Sequence, residues 1–174
     1  MTPILFSSSR LDFRQFSVND AEEFYLLNSD PIVMKYTGDL PFASIDASKK
    51  FLEEYDPYSS TDFGRWTVLL KNTNTVLGWC GLKRLNDTEV DLGYRYHQKY
   101  WNEGFATEAA IKCIEQGFSR YHLDEIIGRT AIENKASIRV LQKAGMTFYK
   151  KAPCEGIEDS VYYKITRKQF FDHA

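Results

Sequence analysis

The stretch from Tyr100 to Ile111, Y-W-N-E-G-F-A-T-E-A-A-I, joins a glycine turn to the start of a helix and does most to decide the fold. It follows Val90–Tyr96 (V-D-L-G-Y-R-Y), whose β-branched and aromatic residues predict a strand. Gly104 can adopt backbone angles that other residues avoid, and the small Ala106 leaves the helix entry uncrowded. Because the first N–H groups of a helix lack partners, this order predicts an anion site in the turn. The alternative is that Thr107 caps an ordinary surface helix and Gly104 only turns the chain.

Composition predicts one domain covering residues 1–174. The chain has 174 residues, of which 43% are hydrophobic and 15% aromatic, enough for one sizeable core. No Pro-, Gly- or Ser-rich stretch divides it. The net charge of −2 and the pI near 5.9 argue against a nucleic-acid-binding surface, since no basic run is present. An anionic ligand must therefore be held by local groups.

The chain also shows no pattern typical of membranes or secretion. No apolar run approaches the roughly 20 residues of a membrane span, and the N-terminus lacks a basic signal region. The three cysteines lack C-x-x-C pairing, which fits a reducing compartment and excludes a cysteine-based zinc site. We expect a cytoplasmic protein without a metal, because the three histidines are also far apart and lack metal-binding spacing.

Strands and helices alternate along the chain. Alternating apolar residues predict strands, and apolar residues three to four apart predict helices. Residues 65–70, 76–82 and 89–96 are predicted to form an antiparallel meander. The other predicted strands cover 11–16, 126–130, 148–151 and 160–165, and the predicted helices follow residue 20 and cover 47–55, 106–120 and 135–144.

Several segments, in the right order, resemble the GNAT acyltransferases and within them the ribosomal-protein N-terminal acetyltransferase (Rim-type) branch. They are V-D-L-G-Y-R-Y, Y-W-N-E-G-F-A-T-E-A and E-N-K-A-S-I-R-V-L-Q-K-A-G-M, with S-S-R-L-D-F-R-Q-F, S-D-P-I-V-M-K-Y and T-V-L-G-W-C-G-L earlier in the chain. The resemblance implies an α/β fold with a mixed, largely antiparallel sheet, flanked by helices and splayed between the fourth and fifth predicted strands. It also implies that acetyl-coenzyme A binds in that wedge.

The family's phosphate loop, Arg/Gln-x-x-Gly-x-Gly/Ala, falls on residues 101–106. Gly104 and Ala106 match it, whereas Trp101 replaces the usual first residue, as is common in the Rim-type branch. Since backbone N–H groups hold the pyrophosphate, the intervening side chains can vary, and we expect Glu103 to point to solvent. The pantetheine arm is expected to pair with the backbone at the end of strand four. The resemblance thus implies these cofactor-binding residues: Tyr94, Arg95, Tyr96, Trp101, Asn102, Glu103, Gly104, Phe105, Ala106, Thr107, Asn134 and Ser137.

The resemblance also suggests catalytic groups. Glu89 and Asp91 alternate with apolar residues on strand four, where the family often keeps its general base, and Asp91 is favoured. The alternative is a solvated acidic strand face. A main-chain N–H near the end of the strand is expected to stabilise the oxyanion. Leu141 stands where many members carry a tyrosine acid, so Ser137 is the candidate for hydrogen-bonding the leaving sulfur. Asn134 has an alternative role as a helix cap.

The acceptor is the least defined part. An α-amino group of a protein is the first hypothesis and a small amine, such as a polyamine or an aminoglycoside, is the second. A coenzyme A-binding sensor without catalysis is a third, suggested by the missing tyrosine. The loop from Tyr36 to Phe42 corresponds to the region over the acceptor site and is expected to shape substrate choice. An exposed strand edge would support a homodimer.

Overall fold

Eight strands form one mixed sheet in the computed structural model, which describes residues 2–173. The strand order is β1-β2-β3-β4-β5-β6-β8-β7. Neighbouring strands are antiparallel except for β5 and β6, which run parallel. The strands are β1 (Ile4–Ser7), β2 (Leu11–Arg14), β3 (Arg65–Leu70), β4 (Val76–Arg84), β5 (Val90–Tyr96), β6 (Glu125–Ala131), β7 (Thr147–Lys151) and β8 (Ser160–Thr166).

Helices cover both faces of the sheet. They are α1 (Ala21–Ser29), α2 (Pro31–Met34), α3 (Ile45–Glu54), α4 (Tyr58–Thr61), α5 (Phe105–Ser119), α6 (Lys135–Lys143) and α7 (Arg167–Asp172). On one face α5 buries Ala109, Cys113 and Ile114 in the main core, which also contains Cys80 of β4. On the other face Phe24 of α1 packs in a smaller cluster that contacts Trp79. Adjacent strand residues point to opposite faces, so Cys80 and Trp79 mark the two sides.

The sheet is splayed between β5 and β6. Although each strand has seven residues, they are in register only at Asp91–Ile127 and Leu92–Gly128. Beyond Leu92 the two strands diverge and leave a wedge. β5 is the fourth predicted strand and β6 the fifth, so the splay lies where the family resemblance implied it.

The secondary structure differs from expectation mainly in short elements. The meander of β3, β4 and β5 is confirmed, whereas β1 and the short helices α2, α4 and α7 were not predicted. β1 is a four-residue edge strand with a register shift between Ile4 and Phe6, so its sequence carries little alternation. The strand predicted over 11–16 ends at Arg14, because the chain then turns into the capped 3-10 turn that begins at Val18.

Candidate active site

The predicted anion site is a helix N-terminus without a side-chain cap. Gly104 is the N-cap residue of α5, with φ +79° and no side-chain capping hydrogen bond. Thr107 lies in the first helical turn and does not cap the helix, so the capping alternative is wrong. A left-handed residue followed by helical residues points successive N–H groups into one concavity. The backbone of this turn is therefore suited to a phosphate.

Arg10 adds a positive charge beside this turn. Its Nη1 donates to the carbonyl oxygen of Glu103 at 3.0 Å, and its guanidinium lies 4.4 Å from the ring centre of Phe105. Glu108 holds it in place, accepting from the backbone N–H and the Nε of Arg10, both at 2.7 Å. Burial acts to raise the pKa of the Glu108 carboxyl, but hydrogen bonds from Arg10 and Ser8 outweigh it and the pKa is lowered. The β1–β2 turn is thus clamped to the start of α5.

The turn itself lies at the surface of the protein. Trp101, Asn102, Glu103 and Gly104 are exposed, while Phe105, Ala106 and Thr107 are half-buried. Asn102 has φ +63°, a left-handed conformation that Asn tolerates better than most residues. The indole Nε1 of Trp101 donates to the carbonyl of Tyr96 at 2.8 Å. The tryptophan therefore fastens the turn to the end of β5.

The edge of β5 presents backbone groups to the wedge. The N–H of His97 donates to the carbonyl of Leu77 at 3.0 Å, and Tyr96 is in register with Gly78. In an antiparallel ladder the backbone groups of alternate residues point to opposite neighbours. Arg95 is therefore directed at β4, whereas the backbone groups of Tyr94 and Tyr96 are directed at the diverging β6.

The hydroxyl of Tyr94 reaches across to α6. It donates to the backbone oxygen of Ser137 at 3.1 Å and lies 2.9 Å from Ser137 Oγ. Burial raises the pKa of Tyr94, so its hydroxyl stays protonated. Asn134 is the N-cap of α6, and its Oδ1 accepts from the Ser137 N–H at 3.2 Å. The predicted capping role of Asn134 is confirmed, and Ser137 is held by groups on both sides.

Leu141 belongs to the core. Only 1% of it is exposed, and it packs directly on Gly128, where an added Cβ would lie 2.6 Å from Leu141 Cδ2. No hydroxyl is available at this position. Ser137, one helical turn earlier on α6, is the hydroxyl that Tyr94 contacts from β5.

Asp91 lies between two arginines rather than on a solvated face. Its Oδ2 accepts from Arg65 Nη2 at 3.0 Å and its Oδ1 from Arg129 Nε at 3.1 Å. The side chains of Asp91, Arg65 and Arg129 are 6%, 13% and 13% exposed. Glu89 is elsewhere, in the turn before β5, where its carboxylate accepts from Asn86 at 2.8 Å. The structure therefore gives the two candidate bases separate partners.

These groups belong to a charged cluster on the α1 side of the sheet, which we call the arginine cluster: Arg65, Asp91, Arg95 and Arg129. Arg65 lies flat over Gly93, where a Cβ would approach its Nη1 to 2.2 Å. Trp79 contacts the guanidinium groups of Arg65 and Arg95, at 5.1 and 5.4 Å from its ring. Arg95 also donates to Asn28 of α1 at 2.6 Å and pairs with Asp39 at 2.5 Å.

Two loops meet over this cluster. The loop between α2 and α3 carries Gly38 and Asp39, and the β7–β8 loop carries Glu155. The carbonyl oxygen of Glu155 is so close to Gly38 that a Cβ there would lie 2.2 Å from it. Asp39 pairs with Arg95 of β5, and Glu155 lies 3.7 Å from Arg129 of β6. Each loop is therefore linked to one of the two diverging strands.

Three arginines of the site were absent from the sequence-based prediction. Arg10 reaches Glu108 from 98 residues away, and Arg65 and Arg129 reach Asp91 from 26 and 38 residues away. No local pattern marks such partners. The one available signal was Asp91 itself, an acidic residue within an otherwise apolar strand that requires a buried cation.

Fold and site together define a coenzyme A-binding acyltransferase domain, and comparison with known proteins supports this class. The family model for the acetyltransferase (GNAT) domain matches residues 10–147. The chain is 30% identical over 170 residues to the uncharacterized N-acetyltransferase p20 of Bacillus licheniformis, covering 92% of this chain and 96% of the relative. It therefore belongs to the GNAT acetyltransferase family.

Solved structures show the same fold. A GNAT-family acetyltransferase from Bacillus anthracis has a TM-score of 0.80 at 28% identity, covering 93% of this chain and 98% of that one. The spermidine N-acetyltransferase of Vibrio cholerae, solved with CoA and spermine, has a TM-score of 0.80 at 17% identity, covering 94% and 99% of the two chains. At that identity the likeness concerns the fold alone.

The protein is thus an acetyl-coenzyme A-dependent acetyltransferase, and its residues fit this cosubstrate. The uncapped start of α5 suits the pyrophosphate, and the β5 edge can pair with an extended amide chain. Within residues 2–173, no group of three or more His, Cys, Asp or Glu side chains is arranged to hold a metal. None of the helices described in that range has the length and apolar character of a membrane span.

Proposed function

We propose that the protein acetylates a primary amine by direct attack on the thioester, with the α-amino group of a protein N-terminus as the first acceptor class. A small-molecule amine is the second class. The observation that carries the proposal is the juxtaposition of the open β5 edge at Tyr94 with the hydroxyl of Ser137. It brings an N–H donor and a hydroxyl donor to the two sides of one wedge.

Each group has a role in the transfer. The uncapped N-terminus of α5, from Gly104 to Thr107, holds the pyrophosphate, with Arg10 adding positive charge. A backbone N–H of Tyr94 or Tyr96 donates to the oxygen that becomes negative when the amine attacks. The Ser137 hydroxyl donates to the departing sulfur. A thiol of pKa about 8.5 leaves readily, so this hydrogen bond suffices without a stronger acid.

The amine must also lose a proton. We retain Asp91 and Glu89 as the candidates for this step, with Asp91 nearer the wedge because it lies on β5 at a residue still in register with β6. Both Asp91 oxygens already accept hydrogen bonds from arginines. A proton would therefore reach its remaining lone pairs through water. Turnover that is unchanged across pH in Asp91→Asn and in Glu89→Gln would remove both from the mechanism.

The loop containing Asp39 is the part of the acceptor site that we propose controls substrate choice. It lies over the arginine cluster and is fixed to β5 by the Asp39–Arg95 pair. A peptide acceptor and a small amine differ in how much of this loop they contact. Asp39→Asn is therefore expected to change the ratio of kcat/KM values between the two classes.

The decisive experiment combines binding and turnover. Calorimetric titration with acetyl-coenzyme A should give one-to-one micromolar binding, and Gly104→Glu should abolish it by placing bulk and negative charge in the turn. Release of the coenzyme A thiol is then measured with peptides of varied N-terminus, polyamines and aminoglycosides. Binding without thiol release for any acceptor would favour a coenzyme A-binding sensor instead.

A homodimer is a further part of the proposal. β7 is an edge strand of the sheet, and its Phe148 and Tyr149 are 57% and 44% exposed. Pairing of two β7 edges would cover these rings. Light scattering of the purified protein would test this, and a monomer mass at micromolar concentration would contradict it.

A further inference from the structure

We propose that Arg129 is the binding site for a carboxylate group of the acceptor, so that the preferred amines carry a nearby carboxylate. The inference rests on the proposed function and specifies its acceptor. The first supporting observation is position. Arg129 follows Gly128, the last residue of β6 in register with β5, and its side chain lies on the side of Asp91. It therefore lies at the closed end of the wedge, where the two strands begin to diverge.

The second observation is how the guanidinium of Arg129 is held. Its Nε donates to Asp91 Oδ1 at 3.1 Å, which fixes the plane of the group. Among the described residues Asp91 accepts only from Nε, which leaves the edge formed by Nη1 and Nη2. Among the described residues it meets the carboxylate of Glu155, 3.7 Å from Nη2, and the hydroxyl of Tyr162. An orientated guanidinium edge is suited to binding a carboxylate through two parallel hydrogen bonds.

The third observation is the charge balance. Asp91 carries one negative charge between the two positive charges of Arg65 and Arg129. The remaining positive charge is balanced by Glu155, whose side chain is 61% exposed and which is shared with Lys83 at 3.6 Å. Both contacts of Glu155 are longer than a hydrogen bond. An incoming carboxylate can therefore replace Glu155 on Arg129 at small cost.

The other arginines of the cluster do not offer such an edge. Arg65 uses Nη1 on the carbonyl of Gly81 at 2.9 Å and Nη2 on Asp91. Arg95 uses Nη1 on Asn28 and Nη2 on Asp39. Burial acts to lower the pKa of Arg129, but Asp91, Tyr162 and Glu155 outweigh it and the pKa is raised, so the group stays charged. Arg129 is thus the member of the cluster with binding capacity left.

The carboxylate has two possible sources, which the test separates. It is the α-carboxylate of a free amino acid or the side chain of an acidic second residue in a peptide. The first pair of acceptors is leucine and leucinamide. The second is Ala-Asp-amide and Ala-Asn-amide, whose blocked C-termini leave only the side-chain carboxylate. Affinity for each is measured by calorimetry on the coenzyme A-saturated protein, and turnover by thiol release.

We expect the carboxylate member of one pair to bind about tenfold or more tightly than its amide partner, as for charge-assisted hydrogen bonds. Arg129→Gln should bring this ratio close to one. Arg129→Lys, which keeps the charge beside Asp91 and supports folding, should give an intermediate ratio. Arg139→Gln, at an exposed arginine of α6, should leave the ratio unchanged.

Equal affinity for both members of both pairs in the wild type would overturn the inference, as would a preference that persists in Arg129→Gln. The outcomes also distinguish this inference from the proposed function. A carboxylate preference in binding without acetyl transfer supports the Arg129 site and contradicts catalysis. Transfer to an amine without any carboxylate preference supports catalysis and contradicts the Arg129 site.

Discussion

Replacement of Asp91 by Asn should destabilise the fold strongly, because Asp91 is the carboxylate that neutralises two buried guanidinium groups. The variant keeps the shape of the side chain and removes its charge. Arg65 and Arg129 each lie about 3 Å from one Asp91 oxygen and are mostly buried. Two unit charges 4 Å apart interact by about 4 kcal/mol at an effective dielectric constant near 20. Removing one partner of a buried pair costs about 3–5 kcal/mol.

We expect a loss near the lower limit, about 3 kcal/mol, since both arginines retain some access to water. Urea unfolding followed by tryptophan fluorescence measures it. With an m value of about 2 kcal/mol per molar urea, the midpoint should fall by about 1.5 M. The matched control is Glu89→Gln, which removes a carboxylate bound to Asn86 in the turn before β5. It should change the unfolding free energy by less than about 0.5 kcal/mol.

A double-mutant cycle identifies the cause of the loss. If the cost arises from unpaired guanidinium charge, Asp91→Asn should cost less in an Arg129→Gln background than in the wild type. An Asp91→Asn variant within about 1 kcal/mol of the wild type would refute the reasoning, because the carboxylate would then be dispensable to the buried charges. Equal costs in the two backgrounds would refute the assignment to Arg129.

Three further outcomes are expected. Gly104→Ala should lower the unfolding free energy by about 1 kcal/mol, because the φ of +79° is left-handed; the added Cβ itself meets only Arg10 Nη2 at 3.4 Å. Gly104→Asn should cost less in the same urea assay, because asparagine adopts this conformation more readily. Tyr94→Phe should lower kcat about tenfold with little change in the KM for acetyl-coenzyme A, because the Ser137 hydroxyl loses its hydrogen-bond partner. Steady-state kinetics at saturating acceptor measure this, and a change in KM alone would contradict it. His97 has its pKa lowered, mainly by burial, so the unfolded chain takes up its proton first as pH falls. Unfolding free energy should therefore decrease below about pH 6.5, and His97→Gln should reduce that decrease in urea titrations at several pH values.

Sequence reasoning located what is local in the chain. The turn before α5 lies within twelve consecutive residues, so a glycine with the right neighbours was enough to predict where the helix begins; that its N–H groups bind an anion stays a prediction. The strands of the meander were readable because their alternation extends over six to nine residues. β1 was missed because four apolar and small residues with a bulge give no period.

The ion pairs of the arginine cluster could not be predicted from the sequence. Alternation placed Asp91 on one face of its strand, but nothing in V-D-L-G-Y indicates which side chains lie opposite. Arg65 reaches it from β3 across the intervening β4, and Arg129 reaches it from the neighbouring β6, so both contacts depend on the strand order of the whole sheet. The same contacts explain why position 93 is a glycine, because Arg65 occupies the space that a side chain at Gly93 would need.

The Asp91–Arg129 pair lies at the closed end of the wedge, on the α1 side of the sheet. Asp91 belongs to the registered end of β5, and Arg129 is the first residue of β6 beyond it. The pair therefore joins the two strands where their backbone hydrogen bonds stop, and resists further separation there. A ligand bound to the Nη edge of Arg129 would pull on the same guanidinium that Asp91 holds through Nε. The proposed carboxylate site and the contact that joins the two strands would thus share one guanidinium group, which predicts that Arg129→Gln changes the affinity for acetyl-coenzyme A as well as for the acceptor. Calorimetry with acetyl-coenzyme A alone checks this, and an unchanged dissociation constant would show that the two functions of the pair are independent.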